Sequence, residues 1–484
     1  MINNRKYYIP FLLIGLFYFP FIINNQLYVD DVFRAHNGFD GWTQSGRPLA
    51  DMVMHLVMMS NSKLPGYGVL GQILSVAIMS ATAIFYAKNA LLDSSSISLI
   101  AASGFALSPF YIENMLYQYD NLPMTLSLCG AIVASVLSSK DGTSNFILSI
   151  IIVAACSALY QAAINSYIAF VSVNAIIKLY QSESPAMRTL MLSLRGVFVL
   201  ILGMVLYTMI IKLLFPMTGS RGQEFSIEPS LMNFFIKRMV IFYGLIWSTM
   251  SSYYVYFCIA LISITALTAR KKMSFPHILI FILCVFVISL SPIGILAVFG
   301  EDAIAARMMM GSVGILSLTL IMVSISKNNI KLKYTAVLLI LLPIYVVSYG
   351  LSFAIKEQRN YENAIVAMAV NDIRKNNDYN DSSKIIFSGR APVAPLAVNT
   401  ANNFPLIAIM LVPAYDWTAS LMAQSIDVPN VMFEFSRKDQ KVISKAICSK
   451  NDLPIAGTYG YSVYKDNISN SFLIWLKGGK KHPC

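Results

Sequence analysis

The chain has 484 residues, of which 56% are hydrophobic and only 12% are charged, and its mean hydropathy is +0.62. A soluble domain has a charged fraction of about 25%, so the composition excludes a soluble protein and indicates one that crosses a membrane many times. The net charge of +12 is typical of cytoplasmic anchoring residues, and we do not interpret it as a nucleic-acid-binding surface.

Hydropathy predicts eleven membrane helices, since one span needs about 20 apolar residues. They are expected at residues 7–24, 66–87, 97–115, 122–138, 146–161, 164–181, 191–215, 240–268, 276–292, 308–326 and 334–355. With the N-terminus in the cytoplasm, every inside loop is basic and the outside loops carry acidic residues, as the positive-inside rule requires. We therefore predict a polytopic, all-α membrane domain over residues 1–355. The tail would then lie outside, in the periplasm of a bacterium.

The first outside loop, residues 24–65, is dense in ionisable and aromatic side chains. In chain order they are Asp30, Asp31, Arg34, His36, Phe39, Asp40, Trp42 and Arg47. Such a concentration of charge beside a membrane predicts a functional site. Between Arg47 and Ser60, residues Leu49, Val53, Leu56, Val57 and Ser60 fall on one helical face, which predicts an amphipathic helix in the outer interface. The alternative is a simple extension of the next span.

Asp30 and Asp31 are the predicted catalytic residues. One of them would remove the proton from an attacking sugar hydroxyl, and such assistance is worth roughly 10²–10⁴ in rate. Two other interpretations stay open: the pair binds a divalent metal ion, or the loop is only solvated. Arg34 and Arg47 are predicted to bind phosphate, with interfacial anchoring as the alternative.

Three more charged residues stand near the outside ends of later spans. Glu113 lies within a span, where a carboxylate costs about 2.5–3.5 kcal/mol and is therefore expected to have a function. Asp120 lies in the next short loop and either helps the site or caps the following helix. Arg307 is predicted to pair with a lipid phosphate, or with Glu301 or Asp302.

Beyond residue 356 the composition becomes polar, which predicts a periplasmic α/β domain over 356–484. A helix is expected at 361–375 and strands at 384–388, 430–435 and 472–476. Cys448 and Cys484 are candidates for a disulfide in an oxidising compartment.

No cofactor is predicted. The four His share no motif and the six Cys show no metal-ligand spacing, so a divalent ion at the Asp pair is the only metal site considered. There is no nucleotide-binding fingerprint and no soluble cytoplasmic domain for a nucleotide sugar. A glycosyl donor used outside the cytoplasm would have to be attached to a lipid.

The topology resembles that of the GT-C membrane glycosyltransferases. More narrowly, three short motifs are similar to those of the serotype-converting O-antigen glucosyltransferases (the Gtr family) of enteric bacteria and their temperate phages. They are Asp30-Asp31-Val-Phe-Arg34, Gly46-Arg-Pro48 and Tyr117-Gln-Tyr-Asp-Asn121. The resemblance covers most of the membrane domain.

The resemblance implies an inverting transfer of glucose at the periplasmic face of the inner membrane. The donor would be undecaprenyl phosphate glucose and the acceptor a sugar of the lipid-linked O-antigen repeat of lipopolysaccharide. By position, Asp30 or Asp31 would activate the acceptor hydroxyl, and Arg34, Arg47 and Arg307 would stabilise the departing phosphate. The residues expected to orient the donor sugar or the base are Glu113, Asp120, Trp42 and His36.

Three alternatives remain. A related transferase would use the same kind of donor but act on lipid A or on protein. A flippase or transporter for lipid-linked sugars would carry ionisable residues near the middle of its spans, whereas here they cluster at one face. An O-antigen polymerase would be expected to have its essential residues in large, late loops.

Overall fold

The structure is a computed structural model that describes residues 2–181, 185–215, 231–249, 274–294, 305–428, 430–431, 453–466 and 470–478. The chain forms two compact units. The first comprises Met1–Asn25, Asp40–Tyr349 and Phe404–Leu406, and the second comprises Gln26–Phe39, Gly350–Asn403 and Ile407–Cys484. The loop that carries Asp30 and Asp31 is thus divided between the two units.

Seventeen α-helices lie in the described part of the chain. They are α1 (Tyr8–Asn24), α2 (Asp30–Asn37), α3 (Pro48–Val57), α4 (Leu70–Asn89), α5 (Ser96–Ala102), α6 (Ile112–Leu116), α7 (Asn121–Ser138), α8 (Thr143–Leu159), α9 (Ile164–Gln181), α10 (Ala186–Leu214), α11 (Leu231–Thr249), α12 (Phe275–Leu290), α13 (Val313–Ile325), α14 (Ile330–Arg374), α15 (Pro395–Asn403), α16 (Pro405–Met410) and α17 (Asp416–Gln424).

Among the described residues, six helices are long and apolar enough to cross a membrane, or seven if the bent pair at 96–116 is one span. A described helix overlaps each of the eleven predicted segments, but the number eleven is not confirmed. Several of these helices, such as α8 and α12, are shorter than a full span. The predicted span at 240–268 lies mostly outside the described residues, since α11 ends at Thr249.

The first unit has its interior around α7 and α9. In their most apolar windows 78% and 83% of the residues are buried, compared with 17% in α10. The exposed apolar side chains of α10, such as Leu202 and Leu213, suit a lipid-facing helix. Helices approach closely at Gly203 of α10, where a Cβ atom would lie 2.6 Å from a methyl carbon of Val153. A larger residue there would push α8 and α10 apart.

A sharp bend interrupts the apolar segment at residues 96–116. The two halves, Ser96–Leu107 and Pro109–Leu116, are inclined by 45°. Pro109 lacks a backbone N–H and cannot continue the helical ladder, which accounts for the break. The second half carries Glu113, so the bend decides the position of this buried carboxylate.

Helix α3 forms within the predicted interfacial segment. Ala50 and Met54 are fully buried, whereas Leu56 is 77% exposed, as an apolar side chain on the membrane side of an interfacial helix would be. The position of this helix in the outer interface stays a prediction. Ala50 and Met54 pack into a cluster that contains Trp42 and Tyr119. This packing determines which face of α3 is buried in the protein.

The second unit contains a four-stranded sheet in the order β1-β4-β3-β2. The strands are β1 (Lys384–Arg390), β2 (Ala456–Gly457), β3 (Tyr461–Asp466) and β4 (Ser471–Lys477). β1 pairs with β4 in parallel, while β3 is antiparallel to both β4 and β2. The core of this unit is formed by the sheet, α17 and the second half of α14, which contributes buried residues such as Ala369 and Ile373.

Two of the predicted strands, at 384–388 and 472–476, are confirmed as parts of β1 and β4. Of the predicted strand at 430–435, Val431 forms an isolated bridge with Ile385, and residues 432–435 lie outside the described residues. The helix expected at 361–375 is present but is not a separate element, because α14 runs without a break over 45 residues. Cys448 and Cys484 lie outside the described residues, as do Glu301 and Asp302.

Candidate functional site

The predicted site residues fall into two groups, one in each compact unit. Asp30, Asp31, Arg34 and His36 belong to the second unit. The first unit contains the other five, which are Trp42, Arg47, Glu113, Asp120 and Arg307.

The acidic pair opens helix α2 directly after a strained residue. Val29 has φ of +43°, a conformation that β-branched residues rarely adopt and that costs of order 1–3 kcal/mol. The helix begins at the next residue, so Asp30 and Asp31 form its first turn. Strain of this kind is characteristic of functional segments that the surrounding structure holds in place.

The two carboxylates have different environments. Asp31 is fully buried, and its Oδ2 accepts a hydrogen bond from the backbone N–H of Tyr28 over 3.1 Å. Asp30 is only half-buried, which leaves it accessible to a substrate. Asp30 also lies near Tyr415: burial is the main cause that raises the pKa of the Tyr415 phenol, and the charge of Asp30 adds to the rise.

The remaining residues of α2 connect it to the rest of the second unit. Arg34 is half-buried, and its Nη1 donates a hydrogen bond to the carbonyl oxygen of Phe39 over 3.1 Å. The ring of Phe33 packs edge-on against Phe39 and Trp417, with centroids 5.4 and 6.5 Å apart. His36 is exposed at the surface of this helix.

A buried carboxylate that the sequence reasoning missed organises the second unit. Glu362 is 2% exposed and accepts hydrogen bonds from the Ala414 backbone N–H at 2.6 Å and from Gln358 Nε2 at 2.8 Å. Its Oε2 also lies 3.2 Å from Arg359 Nη1. The polar run at 356–360, directly after the last apolar segment, was a sequence signal for polar contacts in this region. The partner Ala414, however, is distant in sequence.

In the first unit, Trp42 and Asp120 are joined by a short hydrogen bond. The indole Nε1 of Trp42 donates to Asp120 Oδ1 over 2.5 Å, and both side chains are buried. Asp120 precedes α7, but its side chain does not accept a capping hydrogen bond from that helix. The helix-capping alternative for Asp120 is therefore not the arrangement seen.

Arg47 lies across an aromatic ring at the break between α8 and α9. Its guanidinium carbon is 4.6 Å from the centroid of the Tyr160 ring, and its Nε donates to Gln161 Oε1 over 3.0 Å. Gln161 in turn donates to the Tyr207 hydroxyl over 3.0 Å. These contacts hold the planar cation in one orientation, as recognition of a phosphate or carboxylate requires.

Arg307 and Glu113 are also brought together. The backbone N–H of Arg307 donates to Glu113 Oε2 over 2.8 Å, and Glu113 is 4% exposed. The Arg307 guanidinium stacks on the ring of Tyr117, 4.6 Å from its centroid. This cation–π contact fixes the side chain without neutralising its charge.

Tyr160 links the two arginines and was not predicted as a site residue. Its ring stacks with Arg47, and its hydroxyl donates to the Arg307 carbonyl oxygen over 3.3 Å. It is close enough to Glu113 and Asp120 to interact electrostatically with both. The only sequence signal was the polar pair Tyr160-Gln161 at a weak break between two apolar segments.

The family comparison covers most of the membrane-spanning part. The family described as "Glucosyl transferase GtrII" matches residues 19–318, which is more than half of the 484-residue chain. The chain is 26% identical over 501 residues to a protein of Salmonella phage P22, printed as "Uncharacterized 55.3 kDa protein in gtrB 5'region". That similarity spans 95% of this chain and 98% of the phage protein. No solved structure matches significantly. The chain belongs to the GtrII glucosyl transferase family.

Proposed function

We propose that this membrane glucosyltransferase moves glucose from undecaprenyl phosphate glucose to a sugar of the lipid-linked O-antigen repeat, at the periplasmic face of the bacterial inner membrane. Family membership supports glucosyl transfer. The observation that favours a lipid phosphate donor is the pair of stacked arginines near Tyr160. The Arg47 guanidinium stacks on Tyr160, the Arg307 guanidinium stacks on Tyr117, and both charges act on Tyr160. Stacked guanidinium groups are suited to hold a phosphate.

The proposed step is a single displacement. The acceptor hydroxyl oxygen forms a bond to the anomeric carbon of glucose, while the bond from that carbon to the phosphate oxygen breaks. The hydroxyl proton passes to a carboxylate, and undecaprenyl phosphate leaves with the bonding electron pair. Attack opposite the leaving group inverts the anomeric configuration. Since phosphate leaves readily, the protein mainly positions the reactants and stabilises charge.

We assign the proton acceptor to Asp30. It is half-buried, whereas Asp31 is fully buried and accepts a hydrogen bond from the Tyr28 backbone. Asp31 then positions the first turn of α2. Arg34 contributes positive charge beside the acidic pair, and the exposed His36 contacts the acceptor glycan.

The residues of the first unit have complementary roles in this proposal. Arg47 and Arg307 bind the phosphate of the donor. Glu113 holds the backbone of Arg307, and the bonded pair Trp42 and Asp120 orients the glucose ring. No cofactor is needed for the displacement, and the C-terminal domain, residues 356–484, helps to cover the acceptor glycan.

Reconstituted transfer tests this proposal. The purified protein in liposomes is supplied with labelled undecaprenyl phosphate glucose and lipid-linked O-antigen, and the product linkage is determined by NMR. We expect transfer from the lipid donor, none from UDP-glucose, and an inverted anomer. Transfer to lipid A or to protein instead would identify a related transferase. Movement of the lipid donor between leaflets without transfer would identify a flippase and contradict the proposal.

A further inference from the structure

A separate cluster of possible metal ligands lies in the first unit. Asp40, Asp51 and His55 each bring one ligand atom to within 4.8 Å of the others. His55 Nε2 is 3.4 Å from Asp40 Oδ2 and 3.5 Å from Asp51 Oδ1. Asp51 and His55 are four residues apart on α3 and therefore share one face of that helix. None of the three has a role in the proposed transfer.

The other polar atoms of these side chains are held by hydrogen bonds. His55 Nδ1 lies 2.8 Å from the carbonyl oxygen of Ser60. Thr43 Oγ1 donates to Asp51 Oδ2 over 2.6 Å, and the Gly41 backbone N–H donates to Asp40 Oδ1 over 2.6 Å. Imidazole and carboxylate ligands of metal ions are characteristically oriented by partners of this kind.

The contact with Ser60 determines the tautomer of His55. A carbonyl oxygen only accepts, so Nδ1 donates to Ser60 and Nε2 is the ring nitrogen left to bind a metal ion. This nitrogen faces oxygen atoms of Asp40 and Asp51. A cation held among these three atoms would be attracted by all of them.

Asp51 gives a further indication of a ligand. Its Oδ1 atom is buried and, although His55 Nε2 lies 3.5 Å away, it accepts no hydrogen bond in the described structure, which is unfavourable for a buried oxygen. The distances to His55 exceed the about 2.7–2.9 Å of a charge-assisted hydrogen bond. They are close to the separation of about 3.3 Å between two ligands of a tetrahedral ion with bonds of about 2.0–2.1 Å.

We propose that Asp40, Asp51 and His55 bind a divalent transition-metal ion of the Zn²⁺ class. One imidazole and two carboxylates form a ligand set that Zn²⁺ accepts, with a fourth position left for water. The side chain of Asp40 is 42% exposed, which gives the ion a route from solvent. The ion would join the loop at Asp40 to α3 and so stabilise the segment between them, which carries Trp42 and Arg47. This inference does not depend on the proposed function.

Metal binding by the purified full-length protein tests the proposal. The protein is treated with a chelator and titrated with Zn²⁺ alone, and bound zinc is counted per chain. We expect one tightly bound ion and a higher unfolding temperature. His55→Gln should weaken binding at least about 10-fold, and so should Asp40→Asn, a change at a partly exposed position that leaves the fold intact.

Two histidine variants outside the cluster serve as controls. His277→Gln changes a side chain that contacts Ser274 at the start of α12, and His482→Gln changes one near the C-terminus. Both should bind zinc as the unmodified protein does. Unchanged binding by His55→Gln and Asp40→Asn would overturn the proposal. So would the absence of bound zinc in the unmodified chain.

Discussion

Arg359 Nη2 donates a hydrogen bond to the carbonyl oxygen of Leu27 over 2.8 Å, across 332 positions of the sequence. The contact ties α14 to the segment that leads into Asp30. Tyr28 adds a second tie, because its hydroxyl donates to the Met410 carbonyl oxygen over 2.8 Å. The acidic pair is therefore part of the second compact unit, although in sequence it follows the first apolar helix.

Loss of the Arg359 contact is expected to impair both stability and activity. Arg359→Gln removes the ion pair with Glu362, and breaking a buried pair costs about 3–5 kcal/mol. It also releases the carbonyl oxygen of Leu27 ahead of α2. We expect a lower unfolding temperature and reduced O-antigen glucosylation in cells. Arg374→Gln, at an exposed position of the same helix, is the control, and equal behaviour of the two variants would contradict the predicted role.

The two stacked arginines are expected to require a planar guanidinium. Arg47→Lys and Arg307→Lys keep the charge but lose the face that stacks on Tyr160 or Tyr117. Each should lower the transfer rate roughly 10- to 150-fold, the equivalent of about 1.5–3 kcal/mol for a charged hydrogen bond. The rate of transfer from undecaprenyl phosphate glucose is the measurement.

The control for the Arg47→Lys and Arg307→Lys variants is Arg188→Lys. Arg188 is exposed and pairs with Asp141 over 2.7 Å, so its replacement should leave the rate unchanged. Full activity of both Arg47→Lys and Arg307→Lys would show that neither guanidinium holds the donor phosphate.

Trp42 is expected to contribute through its indole N–H. Trp42→Phe removes the donor to buried Asp120, which should cost about 1–3 kcal/mol of stability. Trp475→Phe makes the same chemical change at a buried indole whose Nε1 has no hydrogen-bond partner in the described structure. Thermal unfolding of the two variants compares them directly. An equal loss of stability would mean that ring packing, and not the bond to Asp120, is responsible.

Much of the membrane part could be predicted from the sequence, because hydropathy is a local property. The positions of α4 and α7 follow from their apolar runs, and the strand β1 follows from a short β-branched run. The grouping of charged residues near Asp30 and near Asp120 was likewise visible as local composition.

Other features depend on partners far away in sequence. Glu362 is buried because the backbone of Ala414 and the side chains of Gln358 and Arg359 satisfy it, and no local pattern indicates Ala414. Tyr160 contacts the guanidinium of Arg47 and the backbone of Arg307, two residues that lie 260 positions apart in the sequence. The strand β3 was not predicted, because it is defined by its pairing with β4, and local sequence does not reveal that pairing.

The most direct test of the proposed mechanism is O-antigen glucosylation in cells that carry Asp30→Asn or Asp31→Asn, with matched membrane levels. Asp381→Asn, an exposed carboxylate of the same unit, is the control. We predict that Asp30→Asn loses at least about 100-fold in activity at a normal protein level, as expected for removal of a general base. Asp31→Asn should lower activity less and mainly reduce the amount of folded protein. Full glucosylation by the Asp30→Asn protein would contradict the assignment of Asp30 as the base.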